Sequence, residues 1–108
     1  MRIAIVGSRS ITVDNIGDYI ANVDEIVSGG AAGIDKCAAK YAKEHGIKLT
    51  EFLPEYEFYG RAAPIIRNKK IVDYAEKVIV IWDGMSKGAL SVIKYARKIG
   101  KECEVFFR

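Results

Sequence analysis

Ser28-Gly29-Gly30-Ala31-Ala32-Gly33-Ile34-Asp35 decides how this chain is read. It follows a short apolar run, Glu25-Ile26-Val27, and opens an amphipathic segment from Ile34 to His45. There Ile34, Cys37, Ala38, Tyr41 and Ala42 recur at three- and four-residue spacing, the period of a helix with one buried face. A strand that feeds a glycine-rich turn and then a helix is also a ready-made anion site. The unpaired N–H groups of the first helical turn point into the gap, and the helix dipole favours negative charge there. The stretch has neither the Lys of a P-loop nor the spacing of the dinucleotide fingerprint. It serves equally as a plain strand-to-helix connection.

Outward from this turn the same alternation repeats. On the N-terminal side, Arg2-Ile3-Ala4-Ile5-Val6 is a nearly unbroken apolar strand, as a parallel strand covered on both faces should be. It ends in Gly7-Ser8-Arg9-Ser10. A helix is expected next, with Val13, Ile16 and Ile20 on one stripe and Ser10 or Thr12 as its cap. On the C-terminal side Gly46 stops the amphipathic helix. An edge strand follows from Ile47 to Leu53, then an aromatic loop from Pro54 to Gly60. A helix over about 62–75 carries Pro64 in its first turn. Its cations Arg61, Arg67, Lys69 and Lys70 sit toward the end that the dipole makes unfavourable, which points to a bound anion or an ion-pair partner. Lys77 to Trp82 is the second near-continuous apolar strand. It leads through Asp83-Gly84-Met85-Ser86-Lys87-Gly88 into a last helix, stopped at Gly100, and a closing strand from Glu102 to Phe107. Lys40 to Gly46 and Lys94 to Gly100 look alike, as two helices that dock and stop in the same way.

Strictly alternating strands and helices with short loops imply an α/β fold, a doubly wound parallel five-stranded sheet with right-handed crossovers and helices on both faces. The two most apolar strands belong in the middle, which the order 3-2-1-4-5 satisfies. The winding then reverses between the first and fourth strands, and ligands bind in that crevice, at the carboxyl ends of the strands. The turns at Gly7, Gly29 and Asp83 all fall on this edge.

Composition narrows the classes. The 108 residues suit one domain, 1–108, and half are apolar, so a core can be buried. Lys plus Arg is 17 against 14 for Asp plus Glu, a net charge of +3 that permits an anionic partner without demanding one. No apolar run approaches the roughly 20 residues of a membrane helix. The chain enters a strand at once without a signal-peptide pattern, so a cytoplasmic protein with reduced Cys37 and Cys103 is expected. One histidine and two separated cysteines do not make a zinc site, and no metal or cofactor is expected.

The candidate ligand-binding residues are those on the convergent edge. Gly7, Ser8 and Arg9 come from the first turn, and Ser28, Gly29, Gly30, Ala31, Gly33 and Asp35 from the glycine stretch. Arg67 and Asn68 come from the penultimate helix, and Asp83, Ser86 and Gly88 from the third turn. Gly29, Gly30 and Gly33 are read as a phosphate cradle or as simple turn geometry, and Ser28 as a donor to the same anion or a cap. Arg9 and Arg67 match phosphate through the guanidinium fork. Arg67 is expected to stand exposed in a solvent cleft, contributing little to stability. A carboxylate repels phosphate, so Asp35 should face another part of a ligand. Asp83 is suited to a sugar or base edge, and Ser86 to an anion turn or a helix cap. Tyr56, Phe58 and Tyr59 are a lid or a stacking surface beside the basic residues that follow.

Together, Gly7-Ser8-Arg9, Ser28 to Asp35, Arg67-Asn68 and Asp83 to Gly88 resemble the SLOG superfamily. That group includes the lysine-decarboxylase-like LOG proteins and the DprA DNA-processing proteins. Tyr59-Gly60 and Trp82-Asp83-Gly84 are most similar to its small stand-alone YspA/YpsA-type branch. The resemblance covers nearly the whole chain and implies a Rossmann-like domain binding a nucleotide or nucleotide-derived ligand, as sensor or hydrolase. LOG members cleave an N-glycosidic bond beside a Pro-Gly-Gly-x-Gly-Thr motif, where this chain has Trp82-Asp83-Gly84. If the ligand is turned over, the bond broken should be glycosidic or phosphate-linked. Asp35 or Asp83 would then be the acid–base group and Arg67 the charge stabiliser. DprA members bind single-stranded DNA, which makes single-stranded nucleic acid the alternative partner. A homo-oligomer stays open.

Overall fold

The structure, a computed structural model, describes residues 1–108. Its strands are β1 (Arg2–Gly7), β2 (Glu25–Ser28), β3 (Lys48–Glu51), β4 (Lys77–Trp82) and β5 (Cys103–Phe107). Its helices are α1 (Ile34–Glu44), α2 (Tyr56–Tyr59), α3 (Ala63–Tyr74) and α4 (Lys87–Lys98). All five strands are parallel, in the order β3-β2-β1-β4-β5, a Rossmann-like sheet. β1 and β4 lie side by side at the centre, with Ile5 opposite Ile79. β3 is half-exposed at the edge and stops at Glu51, short of Leu53.

The two central strands alternate within their apolar runs. Ala4, Val6, Val27, Val78 and Val80 face one side, where α3 and α4 pack through Ile71, Val72, Val92 and Ile93. Ile3, Ile5, Ile26, Ile79 and Ile81 face the other, where α1 packs through Ile34, Ala38 and Ala42. The face covered by two long helices carries the smaller side chains, and the face covered by one carries isoleucine. Larger residues fill the volume that a second helix would occupy, keeping the interior close-packed.

The helix expected after β1 is absent. Only a 3-10 turn forms, Ile16–Tyr19, and no side chain caps it. The stretch is rich in β-branched residues (Ile11, Thr12, Val13) and holds Asn15 and Gly17, all poor helix formers. Ser10 turns to Asp83 instead of capping. The hydrophobic stripe is still used: Ile16 and Tyr19 are buried on the isoleucine face, with Val13 and Ile20 packed beside them. The aromatic segment, read as a loop, winds into α2 and a 3-10 turn, Gly60–Ala62. Lys70 pairs with Glu55 at 2.9 Å, one ion-pair partner for the cations of α3.

α1 and α4 do stop alike. Ile47 N donates to Ala42 O and Lys101 N to Ala96 O, each at 2.8 Å, across Gly46 and Gly100 at φ of 64° and 74°. This is the 6→1 bond of a Schellman motif.

Candidate functional site

β1 and β4 deliver their carboxyl ends to one point. Ser8 ties them: its N donates to Ile81 O at 3.1 Å and its Oγ accepts from Asp83 N at 3.0 Å. Above this point lies an open cleft of about 310 Å³, at the small end of ligand pockets. The loop after β1 brings Gly7, Arg9 and Ser10 to its wall, and the glycine stretch brings Ala31 and Asp35. α3 contributes Arg67 and Asn68, and the turn into α4 contributes Asp83, Ser86 and Gly88. The cleft sits where the winding reverses, between β1 and β4.

The glycine stretch works differently from the expected cradle. Ser8, Ser28, Gly29, Gly30 and Gly33 do not line the cleft. Ser28 is fully buried and its Oγ donates to Ile5 O at 2.8 Å, a strut between strands. Gly29 gives its carbonyl to Arg67 Nη1 at 2.6 Å. Gly30 packs on Leu53 and Glu51, away from the site. Gly33, at φ 73°, presses on the backbone carbonyls of Ser8 and Arg9, where a side chain has no room. Close approach of neighbouring side chains and backbone is one reason for glycine at 29, 30 and 33.

Arg67 is the main departure from expectation. It lines the cleft but is buried, only 8% exposed, rather than standing free in solvent. Its Nη1 also reaches Phe52 O at 3.5 Å, and its Nε donates to Asn68 Oδ1 at 2.8 Å. Asn68 is held in turn by Ser91 Oγ at 2.9 Å, with Gly88 O at 3.4 Å. Asn68 therefore aims the guanidinium and fastens α3 to α4. Arg67 Nη2 makes no bond within the chain. Every fully buried side-chain N or O has a partner, so Nη2 is open to the cleft. Burial lowers the Arg67 pKa, with Asp35 opposing the shift and the like charge of Arg9 adding to it. Arg9 itself is exposed and has no ion-pair partner.

Asp35 is 5% exposed, and its Oδ2 accepts from Ala31 N at 3.2 Å. Ser28 and Gly29 also lie close to the carboxylate, and its other oxygen, by the same reasoning as Nη2, reaches the cleft. Burial raises its pKa, and the bond from Ala31 and the charge of Arg67 only partly offset that. Asp83 is the opposite case. It accepts from Met85 N at 2.8 Å, Ser86 N at 2.9 Å and Ser10 Oγ at 2.9 Å, which hold its pKa at about 2. It braces the turn into α4 and is ionised near neutral pH, so it has no proton to give as a general acid. Ser86 Oγ accepts from Ala89 N at 3.3 Å as the cap of α4.

Ser10 and Pro64 also line the cleft and escaped the sequence reading. The small-residue turn after β1 was the available signal for Ser10. No group of His, Cys, Asp and Glu in the chain could hold a metal ion, and no helix is long and apolar enough to cross a membrane. The chain matches no protein-family model, no curated protein and no solved structure.

Proposed function

We propose that the cleft binds a nucleotide or nucleotide-derived ligand through its phosphate, and that the chain is a domain of the SLOG type. One observation carries the phosphate reading. Two guanidinium groups, Arg9 and the free edge of Arg67, face one cleft without a carboxylate in ion-pair contact with either. Like charges held together at a topological switch point are relieved by an anion, and a guanidinium fork fits phosphate oxygens. The order of short motifs from Gly7 to Gly88 supports the nucleotide part. Native mass spectrometry of freshly purified protein tests for a co-purified nucleotide. A thermal-shift screen of nucleoside mono- and diphosphates, cyclic nucleotides and ADP-ribose tests affinity directly. No shift with any of them at millimolar concentration would sink the reading.

A second reading, single-stranded nucleic acid, is favoured by the α2 surface alone. Phe58 is 77% and Tyr56 57% exposed, with Arg61 exposed just beyond. Exposed aromatics beside cations suit base stacking. Binding of labelled oligonucleotides should then weaken steeply with salt. Absence of binding at low salt, with tens of micromolar protein, removes this reading.

A further inference from the structure

We infer that Asp35 makes this cleft select a terminal phosphomonoester, which can bring its own proton, over sulfates and phosphodiesters, which have none. The inference rests on the phosphate reading above and names the ligand class for it.

The geometry sets the problem. Arg67 Nη1 and Asp35 Oδ2 lie 2.6 and 3.0 Å from the point where a side chain on Gly29 would begin. Arginine and carboxylate thus share one corner, each with a polar atom on the cleft. Because the two side chains share that corner and both line the cleft, an anion drawn to Arg67 is placed against the Asp35 carboxylate. Two groups that only accept hydrogen bonds, both negatively charged, repel across a partly desolvated gap. One proton between them turns the repulsion into a short charge-assisted hydrogen bond.

The source of that proton separates ligands. Inorganic phosphate keeps a proton through neutral pH, and a phosphomonoester takes one with a pKa of about 6. Sulfate and phosphodiesters carry none, so Asp35 itself must be protonated to admit them. The charged groups that share the cleft with Asp35 are Arg67 from α3, whose charge acts on it directly, Arg9 from the loop after β1 and Asp83 from the turn after β4. Arginine stays protonated, and Asp83 stays ionised because three donors hold it near 2. Lys36, next to Asp35 on α1, lines a different cleft. Asp35 is therefore the group that titrates here, and its burial makes proton uptake easier.

Isothermal titration of the full chain with inorganic phosphate and with sulfate tests the idea. At pH 8 phosphate should bind at least about 100-fold more tightly than sulfate. Sulfate affinity should climb by up to about tenfold per unit as the pH falls toward 5.5, because one proton enters with the ion. Asp35→Asn should bind both ions alike at either pH, since its amide can supply the hydrogen. Adenosine 5′-monophosphate against its 3′,5′-cyclic diester, at pH 6.5, should repeat the contrast. Equal affinity for the two ions in the parent protein at pH 8, or undiminished discrimination in Asp35→Asn, overturns the role of Asp35 and leaves the phosphate site standing. If neither ion binds at any pH, the phosphate reading falls and this inference with it. The pH series on the parent protein decides the matter without the variant, should Asp35→Asn fail to fold.

Discussion

Arg67 Nη1 donates a 2.6 Å hydrogen bond to the carbonyl of Gly29, joining the middle of α3 to the glycine turn after β2 across 38 residues of sequence. The same guanidinium bonds Asn68 through Nε and keeps Nη2 for the cleft. One side chain thus holds two elements together and turns its free edge to the cleft, so truncating it disturbs both.

Arg67→Ala should destabilise the fold by roughly 2–4 kcal/mol, since it leaves a buried carbonyl unsatisfied and removes charged hydrogen bonds. Urea denaturation would show this, and a midpoint equal to that of the parent would contradict it. Loss of ligand binding in this variant therefore cannot be assigned to the contact alone.

Arg9→Gln tests the positive charge of the cleft without disturbing the fold. Arg9 is exposed and bonds nothing in the chain, so stability should stay within about 0.5 kcal/mol. Affinity for a nucleoside phosphate should fall by about 10-fold or more, while a phosphate-free nucleoside is unaffected. Equal losses for both ligands would mean that Arg9 only shapes the cleft.

Two carboxyls should give opposite pH dependences of stability. Glu25, at the far end of the sheet, accepts from Thr50 Oγ1 at 2.6 Å and Tyr74 OH at 2.7 Å, which lower its pKa below 4.5. Its contribution is present above that value and is lost as the pH falls through the folded pKa. Asp35, raised above 3.8 by burial, contributes below its unfolded value, and that contribution is lost as the pH rises through its folded pKa. In thermal melts from pH 3 to 8, Glu25→Gln should lower the melting temperature mainly at neutral pH. Asp35→Asn should raise it mainly above the folded pKa of Asp35, where the buried carboxylate is ionised. Parallel shifts at every pH would contradict both assignments.

Gly33 and Gly46 have similar positive φ but different surroundings. Gly46→Ala meets nothing within 4 Å and should cost about 1–2 kcal/mol for the left-handed backbone alone. Gly33→Ala adds a clash with the Ser8 and Arg9 carbonyls and should cost clearly more. Similar urea midpoints for the two variants would show that the backbone there can yield.

The arrangement of the sheet was legible in the sequence, because it depends on local pattern. Ile3 to Val6 and Val78 to Ile81 are too apolar for any place but the centre, and Gly46 and Gly100 stop their helices through chain-local bonds. The segment after β1 misled because its hydrophobic spacing suits a helix while its β-branched residues, Asn15 and Gly17 do not. There spacing recorded burial, not winding. Which turns meet at the cleft was legible too, since strand order sends every βα turn there, although Ser8, Ser28, Gly29, Gly30 and Gly33 lie outside its lining. What each residue does at that edge was decided only by the tertiary structure. Whether Arg67 lies in solvent or against Gly29 O, and whether Asp83 offers a carboxylate or spends it on the Met85 and Ser86 amides, depends on partners that folding brings together. Hydrophobic pattern repeats along the chain and survives local inspection. A hydrogen bond depends on a few tenths of an ångström between atoms distant in sequence, and no periodicity records it.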